Sequence, residues 1–422
     1  MSLLTTALLS PPADVAPTTV RDVPWARARE SAHAAGAARP SAARPAALAD
    51  AAGLTLAADL RARLPLPSFD TAAMDGFAVA GLGSDGWRLR GVVRAGAGWP
   101  GEPLAPGEAV EISTGALVPP GAHAILPLER ATTDGPLVHG PVRAYGDHIR
   151  RTGEDAPAGT RMAAAGSRVN PALIGLAAAC GCDVLSVRPR PRVQVLVTGD
   201  ELVDSGQPAA GSGFVRDALG PMLPPLVTAF GGQVTGVAHV PDRPSGSLAA
   251  AVRAAGDADV VVVTGSTSVG ATDQLRHLLH DSGARWIVDG VACRPGHPQL
   301  LAEAAGAGPW IVGLPGNPYA ALAAAHTLLG PLLDGLSGRA LRALPTIPVS
   351  GDVSPAKGNG HGHGHDAGLT RLIPASWAGA GAEVVSGHRA AFLRGAALAD
   401  AIAALPPDWV SGDPAPLILL TG

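Results

Sequence analysis

Four oxygen-bearing side chains, Asp200, Glu201, Asp273 and Asn317, stand in small-residue turns that close three apolar runs. The runs are VQVLVTGDEL (Val193 to Leu202), DVVVVTGSTSVGATD (Asp259 to Asp273) and PWIVGLPGNP (Pro309 to Pro318). In an open parallel sheet, ligands bind beyond the carboxyl ends of the strands, where such turns converge. Gly199, Gly265 and Gly270 would let backbone amides approach phosphate oxygens, while Thr198 and Ser268 add hydroxyls. Hard carboxylates beside a phosphate suit Mg²⁺, which commonly takes one or two protein carboxylates plus ligand oxygens, so Glu201 and Asp273 are the candidate ligands. Asp273 would serve equally well as a plain helix cap. Together the turns predict one polar site for a phosphorylated, metal-bridged ligand.

The segment LPGNPYAALAAAHTLL adds an anion-binding expectation. Asn317 is a good N-cap and Pro318 suits the first helical position. Behind Pro315 and Gly316, the helix start would offer unused amides and partial positive charge to an oxyanion. An ordinary capped helix has the same residues; its place after a strand of this region favours a ligand. Elsewhere, Asp75 in FDTAAMDGFAV, and Thr114, Glu154 and Asp155 beside glycines, are candidates that turn chemistry alone would also explain. His361, His363 and His365 alternate with glycine, which reads as a solvated loop, and Cys180 and Cys182 read as small buried residues.

These residues need a scaffold. At 422 residues the chain exceeds one core, and 47% apolar with 16% charged residues describes a globular protein. A net charge of −4 argues against a nucleic-acid surface. The longest apolar runs fall short of a membrane span, and no basic stretch precedes the apolar N-terminal residues, so a cytoplasmic protein is expected. The single lysine, Lys357, excludes a Walker-type phosphate loop. Residues 1–20 read as a flexible tail, 21–64 with 146–190 as a helical linker domain, and 65–145 as an inserted β-rich domain. Within the linker, PAALADAAGLTLAADLRA (Pro45 to Ala62) has helical spacing. Residues 191–340 alternate strand and helix, with strands near 193–197, 233–240, 260–263, 286–288 and 310–312, which implies a mainly parallel sheet covered on both faces. Pro224 and Pro225 predict a kinked or late helix there. Residues 341–422 read as a C-terminal β domain. The fold class is thus multi-domain α/β with β-rich additions.

The ordered motifs AAMDGFAV, ISTGALVPPGAHAILPLE, GEDAPAG, TGDEL, VTGSTSVGATD, PGHP and GLPGNP resemble the molybdopterin molybdenumtransferase family, related to the C-terminal domain of gephyrin. The resemblance implies a molybdopterin-binding three-layer α/β domain and insertion of molybdate into adenylylated molybdopterin with release of AMP. It further implies Mg²⁺ on Glu201 and Asp273, and roles in activity for Asp75, Thr114, Asp155, Glu201 and Asp259. Thr198, Gly199, Asp200, Gly265, Ser268, Gly270, Arg294, His297, Pro298, Pro315, Gly316, Asn317 and Pro318 would bind substrate. A homodimer would bring Asp75 and Thr114 of one subunit to the α/β site of the other, and a molybdopterin adenylyltransferase and molybdoenzymes are the implied partners. Departures from the family pattern fall at His297, where lysine is usual, at Ser266 and Thr267 in place of glycines, and at Ala320, Ala390 and Ala391 in place of serines. They raise a second reading, a pterin-binding paralogue acting as carrier, regulator or scaffold.

Overall fold

The computed structural model describes residues 21–82, 85–141, 143–203, 212–267, 274–353, 368–387 and 389–420. The chain divides into two compact units, residues 43–187 and residues 1–42 with 188–422. Strand β1 (Arg21–Pro24) and helix α1 (Trp25–Ala38) belong to the second of these.

The 43–187 unit is built mostly of short strands. The stretch expected to be helical, Pro45 to Ala62, instead gives strands Arg44–Ala47, Thr55–Leu56 and Leu60–Arg61 around one 3₁₀ turn, Leu48–Asp50. The burial follows no helical stripe: Leu54, Thr55 and Leu56 are buried in succession, and Leu60 and Ala62 are buried on either side of the exposed Arg61. Gly53, at φ 75°, makes the turn that a helix could not. Helix α2 (Pro171–Ala179) has Asn170 Oδ1 accepting from Leu173 N at 2.8 Å and proline at the first turn. A six-stranded sheet of the strands Thr132–Asp134, Leu137–His139, Trp87–Val93, Glu108–Ile112, Gly76–Val79 and Ala124–Pro127, in that order, forms the inserted β region.

In the other unit the chain runs β2 (Arg192–Thr198), α3 (Leu219–Ala229), β3 (Gln233–Val240), α4 (Ser247–Ala254), β4 (Val260–Thr264) and α5 (Gln274–Asp281). It continues through β5 (Arg285–Arg294), β6 (Leu300–Glu303), β7 (Trp310–Leu314), α6 (Pro318–Ala324) and α7 (Gly330–Leu336). Strands β3, β2, β4 and β7 are parallel neighbours. Next to them β6 runs antiparallel to β7, β5 antiparallel to β6, and β1 parallel to β5. Val193, Val195, Val260 and Val262 pack into one core and Leu196, Val261 and Val263 into another, so both faces of the sheet are covered. The sheet continues through β5 into the C-terminal strands, Thr370–Ala378 first.

Helix α3 starts late, at Leu219, where Asp217 Oδ1 accepts from Leu219 N at 2.8 Å, and it runs through both prolines. Helices α1 and α7 cross with their backbones touching. A Cβ on Gly36 would lie 2.4 Å from Leu332 O, and one on Gly335 would lie 2.3 Å from His33 O. A π-helical turn, Ala325–Leu329, joins α6 to α7 and sets the half-buried His326 edge-on against Phe230, ring centroids 4.9 Å apart.

Candidate functional site

The turns after β2, β4 and β7 meet at one edge of the sheet. Thr198 Oγ1, at the end of β2, donates to Thr264 O at 2.7 Å and lies 3.3 Å from Ser266 Oγ. Gly265 N donates to Leu314 O at 2.9 Å, and a Cβ on Gly316 would come within 3.7 Å of Gly265 Cα. Gly199 and Gly265 have φ of 140° and 75°, and Ser266 occupies the left-handed region at 51°. The exposed Glu201 folds back over its own turn: a Cβ at Gly199 would stand 2.6 Å from Glu201 Oε2. Because β5 is antiparallel to β6 and β6 to β7, the carboxyl end of β5, with Arg294, comes to the same edge. The hairpin beyond it carries His297 and Pro298, and its Gly296 backbone lies against helix α6, a Cβ there falling 3.4 Å from Ala320 O. Ser268, Gly270 and Asp273, and the histidine-rich loop, lie outside the described residues.

Three placements bear on the expected site. Asp259 is not at this edge. It precedes β4, where its Oδ2 accepts from Arg192 N, the first residue of β2, at 2.7 Å. Five strand residues at about 3.3 Å each, roughly 16 Å, separate it from the turns. The carboxylate that does reach the cluster is Asp242, after β3: Asp242 N donates to Asp200 Oδ1 at 2.9 Å, and Asp242 Oδ2 accepts from Asp200 N at 3.3 Å. Sequence reasoning passed over it because β3 is a half-exposed edge strand without an apolar run; its position after that strand was the usable signal.

Secondly, the amides at the start of α6 are engaged. Tyr319 N and Ala320 N both donate to Ala390 O, at 2.9 and 3.1 Å, so a carbonyl from the C-terminal segment sits where an oxyanion was expected. Asn317 is the N-cap by position, yet its side chain makes no capping bond. Thirdly, His297 Nε2 lies 2.8 Å from Asp22 Oδ1, on β1, so any positive charge on the imidazole is matched by a carboxylate. That partner, 275 residues away in sequence, left no local signal.

A separate polar cluster forms within the 43–187 unit. Asp75 Oδ1 accepts from Thr114 N at 2.6 Å and from Thr114 Oγ1 at 3.0 Å. The Thr114 amide, then its hydroxyl, hold the Asp75 carboxyl below the usual carboxylate range, and Arg94 adds to the effect. Gly115 N donates to Ala72 O at 2.8 Å and Val118 N to Asp70 O at 2.9 Å, fastening the Thr114 loop beside the Asp75 segment. Asp155 lies in a loop docked on the preceding residues of the same segment, with its N–H donating to Leu66 O at 2.9 Å. Asp75, Thr114 and Asp155 thus come from loops fastened to one stretch, residues 66–76.

The side-chain donors that the turns carry at the sheet edge, the Glu201 carboxylate and the Thr198 hydroxyl, are hard oxygens. That set fits Mg²⁺ rather than a softer ion. No cluster of three or more His, Cys, Asp or Glu side chains able to hold a metal occurs among the described residues. No helix among them is long and apolar enough to cross a membrane.

A parallel sheet with glycine- and hydroxyl-rich turns at its carboxyl edge, an inserted β-rich unit and a β-rich C-terminal end together define a multi-domain α/β protein with β-rich additions. Residues 23–181 match the MoeA N-terminal region (domain I and II), and residues 194–335 match a probable molybdopterin binding domain. Molybdopterin molybdenumtransferase 2 of Mycobacterium tuberculosis is 38% identical over 308 residues, 68% of this chain and 73% of that protein. Molybdopterin molybdenumtransferase of Haemophilus influenzae is 32% identical over 300 residues, 69% of this chain and 72% of that protein. The chain belongs to the molybdopterin molybdenumtransferase family. Its fold is similar to that of the molybdopterin biosynthesis moeA protein from Pyrococcus horikoshii OT3, with a TM-score of 0.74 and 21% identity, covering 94% of this chain and 100% of that one.

Proposed function

We propose that the chain is a transferase of molybdenum cofactor biosynthesis that inserts molybdate into adenylylated molybdopterin and releases AMP. The observation that carries this is the meeting of the turns after β2, β4 and β7, within hydrogen-bond contact at one sheet edge. Thr198, Gly199, Asp200, Gly265, Ser268, Gly270 and the Pro315–Pro318 turn line the pterin and phosphate groups. Glu201 and Asp273 hold Mg²⁺, which when bound offsets the negative charge of the pyrophosphate linkage. Arg294 and Pro298, in the hairpin after β5, face the molybdate side. Asp75, Thr114 and Asp155 act on the same ligand through a homodimer that shares its sites between subunits. The protein is cytoplasmic, and an adenylyltransferase and molybdoenzymes stand before and after it.

The test supplies purified protein with adenylylated molybdopterin, Mg²⁺ and molybdate. Molybdate-dependent AMP release is expected, with Glu201→Gln reducing it by at least about 100-fold. Substrate binding without molybdate-dependent release sinks the assignment. The specific contacts Asp22–His297 and Ala390 with the α6 amides favour the second reading, a pterin-binding carrier or scaffold without turnover. Calorimetric titration separates the two, because a carrier binds pterin but shows no saturable molybdate site.

A further inference from the structure

The loop carrying Asp155 is held down by one acidic side chain that lies outside the cluster described above. Asp70 Oδ2 accepts from Arg151 Nη1 at 2.6 Å, while Oδ1 accepts from Thr152 N at 2.8 Å and Thr152 Oγ1 at 2.9 Å. Partial burial pushes the Asp70 carboxyl up, but the Thr152 amide, the Arg151 guanidinium and the Thr152 hydroxyl outweigh it and leave it below the usual carboxylate range. Glu154 Oε2 closes the loop on Arg151 N at 2.7 Å, and Gly153 N reaches Pro67 O at 2.9 Å. The carboxylate thus takes the amide and hydroxyl of one threonine, the same arrangement by which Asp75 takes Thr114. Both aspartates lie on the 66–76 stretch, five residues apart, and each anchors one loop to it.

We propose that Asp70 is a positioning residue for the transfer reaction, fixing loop 151–155 so that the Asp155 carboxylate is presented to the substrate at a set place relative to Asp75 and Thr114. The proposal rests on Asp155 acting on the substrate, as in the function proposed above. An aspartate that only stabilised the unit would affect folding and leave the rate per folded molecule alone. A misplaced carboxylate affects turnover first, since displacement by about 1 Å can cost 100-fold.

The test is a cycle of variants assayed for AMP release on the full chain. Asp70→Asn keeps an oxygen acceptor for Thr152 but loses the charge pair with Arg151. Expected are a kcat lower by about 10- to 100-fold, a molybdate KM changed less than about threefold, and faster amide hydrogen exchange at Thr152, Gly153 and Asp155. The double variant Asp70→Asn/Asp155→Asn is expected to be no slower than Asp155→Asn alone, because both act through one carboxylate. Asp59→Asn is the control. That carboxylate lies in the same unit, accepts from Ala165 N at 3.0 Å and pairs with Arg61 at 3.4 Å, so the variant should keep the wild-type rate. If Asp70→Asn does not fold, Thr152→Val, which removes a single hydroxyl bond, should show the same pattern at smaller size. Wild-type kcat in the folded Asp70 variant, or losses that multiply in the double variant, overturn the proposal while leaving Asp155 in place. Full activity of Asp155→Asn instead overturns the role given to Asp155, and the role of Asp70 falls with it.

Discussion

The sheet edge of the α/β unit and the 66–76 stretch of the β-rich unit differ in how far they rely on backbone or on carboxylates to hold their polar groups. Around the turns after β2, β4 and β7 the backbone places them: Gly199 and Gly265 have positive φ, Gly265 N bonds Leu314 O and Thr264 O takes the Thr198 hydroxyl, while carboxylates take amides only at the outer end, between Asp200 and Asp242. On the 66–76 stretch, carboxylates do the holding, with Asp70 and Asp75 each taking the amide and hydroxyl of a threonine. A site placed by backbone tolerates changes of charge and rejects added atoms. One placed by carboxylates tolerates bulk and fails when the charge is removed.

The largest expected effect falls where the β-rich unit also depends on bare backbone. Gly76, directly after Asp75, has φ 156°, and a Cβ there would stand 2.1 Å from Leu126 O, a backbone atom that cannot swing away. Gly76→Ala should cost about 3–5 kcal/mol and expose the 43–187 unit to limited proteolysis. At the sheet edge, a Cβ on Gly265 meets the Thr198 hydroxyl at 2.7 Å, the end of a side chain. Gly265→Ala should therefore cost less, about 1–3 kcal/mol, mainly from its positive φ. Denaturation of both variants decides it, and equal losses would break the contrast.

Acid separates the two regions next. His326 is half-buried in the α/β unit with its Nε2 shielded, and desolvation first, then the positive charges of Arg29 and Arg342, push its pKa down to about 4. The native imidazole stays neutral while the unfolded one takes up a proton below its ordinary value, about 6.5. Its stabilising contribution is complete above about pH 6.5 and is lost as pH falls toward 4, by roughly 3 kcal/mol in all. His326→Phe should flatten that slope in denaturation measured from pH 7.5 to 4.5. Asp70 and Asp75, held low by their partners, act in the other window. Their contribution is present above the usual carboxylate range and lost as pH falls through their lowered values. The α/β unit should weaken first on acidification. Earlier release of the 43–187 unit, seen as faster cleavage within it at pH 5, would reverse the comparison.

The sequence was legible where burial and function share a local signature. The valine runs of β2 and β4 announced buried strands, and their turns marked the edge where the polar groups converge. Position along a strand is harder to weigh: Asp259 stands before the four valines of β4, away from the turns, while Asp242, at the turn end, follows a strand with no apolar run to draw notice. Partners brought from far along the chain left no local trace, as with Asp22 on His297 and Ala390 on the α6 amides. In the β-rich unit, Asp75 and Asp155 were visible as turn residues. Asp70 was not, because nothing in FDTAAMDG says which of its aspartates meets Thr152 and which Thr114.

The smallest expected effect is at Ser266, and it tests whether the sheet edge is set by backbone alone. A serine at φ 51° bears a steric cost of about 1–2 kcal/mol that glycine would avoid. Glycine in turn loses about 0.5–1 kcal/mol through the added freedom of the unfolded chain. Ser266→Gly should thus gain about 0.5–1 kcal/mol, a rise of a few degrees in Tm at most. The Ser266 hydroxyl, 3.3 Å from Thr198 Oγ1, disappears with the substitution. If backbone sets this edge, AMP release should survive within about threefold, since the turn keeps its shape. A stabler protein with a much slower reaction would mean that the hydroxyl touches the ligand, and side chains would then share in placing it here too. Lower stability in the variant would mean that the contact with Thr198 outweighs the strain, and the distinction between the two regions would narrow from the other side.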